Sequence, residues 1–131
     1  MDQIPLVNEL IDAGKRFVEE FDKTFPIAVA FWLKDRDESR WSLHIASAKI
    51  GDADRQKAFA EIVRIGALMK DTYLDATDVK LRTMDERMVQ FALDFRRRYP
   101  APIATVYNVP SFDGVEVEGM YLYPPLRTAA A

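Results

Sequence analysis

The chain contains no cysteine and a single histidine among its 131 residues. The missing thiols exclude disulfides, thiolate zinc sites and a cysteine nucleophile. They also suit a reducing compartment, so the expected location is the cytoplasm. One histidine, His44, cannot supply a histidine metal triad or a metalloprotease helix. The five glycines are scattered and build neither a phosphate loop nor a dinucleotide fingerprint. No serine lies in a nucleophile-elbow context. No apolar run approaches the roughly 20 residues that span a bilayer, and the first residues lack the basic-then-apolar order of a secretory signal. Positive charge is also in deficit: net charge is −3. That argues against a nucleic-acid coat, which needs a basic field. No cofactor, metal or membrane partner is expected.

What is present fits one soluble domain over residues 1–131. The hydrophobic fraction is 49% and the charged fraction 30%, values of a globular chain. The expected parts are an N-terminal helix over 1–25, a sheet-and-helix body over 26–125 and a tail over 126–131. Leu10, Ile11, Gly14, Phe17, Val18 and Phe21 recur at helical spacing after Pro5. Ile27–Leu33 is apolar on both faces, which predicts a buried central strand. After the charged turn Lys34–Arg40, the alternation of Trp41–Ser47 predicts its hairpin partner.

Gly51–Asp54 signals a helix start, followed by a stripe of Phe59, Ile62, Val63, Gly66, Met69 and Tyr73. Val79–Arg82 alternates as a short strand. Thr83–Glu86 has the form of a capping box and opens a helix striped with Met84, Met88, Phe91, Ala92, Phe95 and Tyr99. Ile103–Val109 and Val115–Tyr123 predict two last strands around a Pro110–Gly114 turn. The expected fold is therefore α+β, in the order α-β-β-α-β-α-β-β, with one mixed five-stranded sheet and three helices. Each strand–helix–strand unit is expected to be a right-handed parallel crossover.

The segments RWSLHIAS, DVKLRTMDERMVQFALDFRRR and VEVEGMYLYP together resemble a group of small bacterial hypothetical proteins. The likeness covers Pro26 to Pro125 and implies the same fold. It implies no activity.

Several residues invite chemistry. His44 is either a general base or a strand residue in a polar alternation. Asp78 and Lys80 have the spacing of the second half of a metal-dependent nuclease motif. Glu116 and Glu118 alternate on one strand and could pair with Lys80 and Arg82 across the sheet. Arg96, Arg97 and Arg98 either meet an acidic partner or complement a helix dipole. If all helices cover one face, the other exposes Ser42, His44, Lys80, Arg82, Val106, Asn108, Glu116, Glu118, Met120 and Leu122.

The candidate binding residues are accordingly His44, Lys80, Arg82, Asn108, Glu116 and Glu118, with no catalytic residue assigned. The leading expectation is a non-enzymatic interaction module, homodimeric through that face or the last strand's edge. The alternative is an enzyme acting on a small molecule or nucleic acid, with its site at His44, Lys80, Arg82 and Glu118.

Overall fold

The computed structural model describes residues 8–35, 40–70, 74–98, 103–105, 109–112 and 115–124. Its side chains are described over 8–34, 40–70, 74–98 and 119–124. Among the described residues are three α-helices: α1 (Asn8–Asp22), α2 (Arg55–Met69) and α3 (Arg87–Arg98). Six strands accompany them: β1 (Val29–Asp35), β2 (Arg40–Ala46), β3 (Val79–Arg82), β4 (Ile103–Thr105), β5 (Val109–Phe112) and β6 (Val115–Leu122). The α+β class and most of the element order match expectation. The count of five strands does not. A four-strand body, β3-β2-β1-β6, is extended by β4 and β5, which both pair with β6. Of the strand expected over Ile103–Val109 the described part is β4 and Val109, and β5 runs from Val109 into the expected Pro110–Gly114 turn.

β1 is central, as its two-faced apolar run predicts. It pairs antiparallel with β2 in an unbroken register from Val29–Ala46 to Asp35–Arg40. Lys34 and Asp35 therefore belong to the strand and not to the turn. On its other side β1 pairs antiparallel with β6, from Phe31–Leu122 to Asp35–Val117, with an irregularity after Lys34. β6 is thus interior, and the last strand offers no free edge.

β2, α2 and β3 form the expected parallel unit, with Leu43 beside Val79 and Ala46 beside Arg82. The second crossover is not parallel. β4 runs antiparallel to β6, which places it opposite in direction to β3. The connection through α3 therefore leaves and re-enters the sheet at the same end, crossing the strands rather than returning along them.

The helices divide between the faces. α1 and α2 bury Ala13, Phe17, Phe21, Ala58, Ile62 and Ile65 against Ala30, Trp32, Leu43, Ile45 and Leu81. α3 buries Met88, Val89 and Ala92 on the opposite side, against Val29, Phe31, Leu33, Met120 and Leu122. This corrects the expected open face: Met120 and Leu122 are 2% and 1% exposed. The cause is the pleat of β1. Its alternate residues are apolar in both directions, so both faces need cover.

Two helical stripes differ from expectation. α2 turns Ala58, Ile62 and Ile65 inward and leaves Phe59 and Val63 exposed. α3 buries Val89 where Phe91 was expected. Tyr73, Tyr99, Val106 and Asn108 lie outside the described residues.

α1 docks through a polar contact within this apolar layer. The Tyr123 hydroxyl accepts from Trp32 Nε1 at 2.9 Å and donates to the Ile11 carbonyl at 2.6 Å. The approach is possible because residue 14 is glycine: a Cβ there would stand 2.3 Å from that hydroxyl and 2.9 Å from the indole nitrogen. Gly14→Ala is expected to destabilise the fold by about 3 kcal/mol through overpacking. Tyr123→Phe should cost about 1–3 kcal/mol by orphaning the indole N–H. Because the second change also removes the clashing oxygen, the double variant should lose clearly less than the sum. Chemical denaturation of the four proteins checks this, and strict additivity would refute the contact.

Candidate functional site

β2 and β3 carry the sequence-predicted candidates on the face that α3 covers. His44 stands beside Lys80 in the parallel register and beside Phe31 in the hairpin. Its imidazole stacks on the Phe31 ring, with centroids 5.3 Å apart and planes 4° from parallel. His44 Nδ1 accepts from Arg82 Nε at 3.0 Å. Arg82 Nη1 donates to Glu86 Oε1 at 3.3 Å, and Glu86 Oε2 accepts from the Thr83 backbone N–H at 2.8 Å. The series His44–Arg82–Glu86–Thr83 rivets β2 and β3 to the start of α3. Half of the expected capping box is present here. Glu86 reaches back to the Thr83 N–H, while its own N–H meets the Thr83 carbonyl oxygen at 3.2 Å and not the hydroxyl.

Burial, then the Arg82 guanidinium, then the Lys80 ammonium push the His44 pKa down to about 3. The ring is neutral near pH 7 and its Nδ1 lone pair is engaged, which is a structural role. The sign of the resulting pH dependence follows directly. In the unfolded chain His44 takes up a proton below about pH 6.5; the folded chain resists it down to about pH 3. Stability is then full above pH 6.5 and falls by about 1.4 kcal/mol per unit as pH drops between these values. His44→Asn keeps an acceptor near the Nδ1 position and cannot titrate. It should flatten this loss, as measured by urea denaturation at pH 6.5, 5.5 and 4.5. An equal loss in both proteins would place the acid sensitivity elsewhere.

The remaining candidates do not gather around His44. Lys80 is exposed on the edge strand. Glu116 and Glu118 lie on β6, which β2 and β1 separate from β3. Three strand spacings amount to roughly 14 Å, so the cross-strand pairing expected with Lys80 and Arg82 does not form. Asn108 lies outside the described residues. Asp78 is bound by Arg40 and accepts from the Asp75 backbone N–H at 3.2 Å, which removes it from a nuclease-type pair with Lys80. Among the described residues, no group of three or more His, Asp or Glu side chains is placed to hold a metal. Arg97 and Arg98 both reach Asp94, at 3.1 and 3.5 Å, and so serve the last turn of their own helix.

The structure draws attention instead to two places that the sequence reading passed over. One is an open groove of about 480 Å³ between the β2–α2 and β3–α3 connections. It is lined by Ser47, Ile50, Asp52, Thr83, Met84 and Asp85, among others. The other is the outer side of α2, where Phe59 and Val63 are 45% and 61% exposed. Ala60 and Ala67, also exposed, continue the same strip, and Arg55 lies over the Phe59 ring at 5.5 Å. A signal for the strip was available: α2 has apolar residues on more of its circumference than one buried stripe needs.

No protein-family model matches the chain, and no curated protein or solved structure is detectably similar to it. Function rests on geometry. No helix among the described residues is long and apolar enough to cross a membrane.

Proposed function

We propose that the chain is an interaction module that self-associates through α2, in a reducing, cytoplasmic setting. The observation that carries this reading is the strip of Phe59, Ala60, Val63 and Ala67 on the outside of a helix whose opposite stripe is already buried. Two copies related by a twofold axis would pack these helices antiparallel. Such an interface repeats one patch on both copies and closes on itself. Centred on Val63, it sets Phe59 of one copy against Ala67 of the other, a large side chain facing a small one. Ala60 leaves room for close approach.

Helix polarity supports a second copy as the occupant. The turn that leads into α2 carries Asp52 and Asp54, and Lys70 caps its far end. Antiparallel packing opposes the helix dipoles and points each Asp52–Asp54 turn, whose two carboxylates are balanced by Arg55 and Lys57 in the first helical turn, at the other copy's Lys70. The edge of β3 is a poorer candidate. It is four residues long and bears Lys80 and Arg82 on one face. Twofold pairing there sets cation against cation, which is how many proteins keep edges apart.

A helix of 15 residues is about 22 Å long, so the interface is small and its affinity micromolar or weaker. Sedimentation equilibrium across micromolar concentrations should show mass rising toward the dimer. Val63→Glu and Phe59→Glu should hold the chain monomeric without loss of fold, because both side chains are exposed. Leu68→Glu, about 140° round the helix from Val63 and 63% exposed, should leave association intact. A wild-type monomer at high micromolar concentration would sink the proposal. So would a Leu68 variant as disruptive as the Val63 one.

The alternative enzyme reading needs His44, Lys80, Arg82 and Glu118 on one pocket. The groove is lined by other residues, and no observation favours that arrangement.

A further inference from the structure

His44 has a second ring nitrogen that the rivet to α3 does not use. A neutral imidazole that accepts at Nδ1 carries its proton on Nε2. Among the described residues that N–H has no hydrogen-bond partner, although the side chain is only 5% exposed. Every fully buried side-chain nitrogen and oxygen among them does have one. Nε2 therefore opens to the surface from an otherwise buried ring. The sheet sets where it opens. α3 packs over β1 and β6, and beyond His44, on β3, Lys80 stays exposed. His44 and Lys80 are register partners on adjacent parallel strands, so their side chains rise from one face about 5 Å apart.

Burial, and then the charges of Arg82 and Lys80, hold the ring neutral. Negative charge in the neighbourhood is already matched: Arg82 meets Glu86, and Arg40 meets Asp78. Lys80 makes no ion pair among the described residues. A buried donor without an acceptor and a lysine without a counter-ion stand side by side, and an oxygen bearing negative charge would satisfy both.

We propose that His44 Nε2 and Lys80 bind a small oxyanion, a carboxylate or a phosphate, at the open margin of this face. One oxygen accepts from the imidazole N–H, and the Lys80 ammonium supplies the opposite charge. The Phe31 ring, stacked on the imidazole at 5.3 Å, fixes the direction of the donor. Arg82 is committed to His44 and Glu86, so it adds positive field without contact.

This inference does not rest on self-association, because α2 lies on the other face. His44 is the chain's one histidine, so its imidazole gives a single set of NMR signals. Sodium acetate and sodium phosphate, titrated at pH 7 and constant ionic strength, are expected to shift the Nε2 resonance saturably in the millimolar range. The tighter of the two identifies the group. Lys80→Gln, at an exposed position, should weaken binding about tenfold. Lys57→Gln, exposed on α2, should leave it unchanged. An Nε2 signal that neither anion moves would overturn the proposal. So would a shift that sodium chloride reproduces, or binding weakened as much in the Lys57 variant as in the Lys80 one.

Discussion

The Tyr123 hydroxyl joins three separated parts of the chain at a single atom. It accepts from the indole of β1 and donates to a carbonyl of α1, and it stands just beyond the end of β6. It pins α1 to the sheet within the apolar layer that α1 and α2 bury. α1 can approach the sheet closely only because Gly14 has no side chain to intervene. The closeness lets Phe17, Val18 and Phe21 reach full burial. α2 packs alongside α1 and buries Ala58, Ile62 and Ile65 in the same layer. A polar group buried in an apolar layer is costly unless satisfied, and here both the donor and the acceptor capacity of the hydroxyl are used. Burial pushes the Tyr123 phenol up, out of the usual tyrosine range, so the hydroxyl remains a donor.

The second constraint is β1. Its side chains are apolar in both directions, and it has a strand neighbour on each side. One helical layer could not cover both faces of such a strand. The division of helices between the faces follows, and from that division comes the divergence of the connections after β2 and β3. Core packing and the groove thus share a cause. His44 belongs to the same logic. It sits where the sheet meets α3, and its neutral ring serves as a flat hydrophobic plate against Phe31 and as an acceptor for Arg82.

Much of this was legible from the residues. The hairpin, the two-faced central strand, the parallel β2–α2–β3 unit and the starts of α2 and α3 all rest on local pattern, and local pattern was enough. The placement of α3 was not legible as such, though the double-sided apolarity of Ile27–Leu33 was a sign that both faces would be covered. The position of β6 in the middle of the sheet is a long-range pairing that no local pattern records. Misplacing it led directly to the false pairing of Glu116 and Glu118 with Lys80 and Arg82. The α2 stripe failed for a different reason. Phe59 and Val63 fit one helical stripe and Ala58, Ile62 and Ile65 another, and side-chain size favoured the wrong one. The groove could not be read at all, because it is built by two loops whose juxtaposition depends on strand order.

Trp32 and Tyr123 are 91 positions apart in the chain, yet they are bonded to each other. Along the ladder of β1 and β6 the separation runs from 91 positions at Phe31–Leu122 to 82 at Asp35–Val117. As the polypeptide is synthesised, the hairpin of β1 and β2 can close early, whereas the other edge of β1 must wait for β6, the last of the described strands, to emerge. Until then the most apolar strand of the protein presents an unpaired edge. Contacts of such long range slow folding, and open edges invite association with other chains. The nascent chain passes through a stretch of vulnerability set by the order of its strands, and a ribosome stalled before Val115 would leave that edge open.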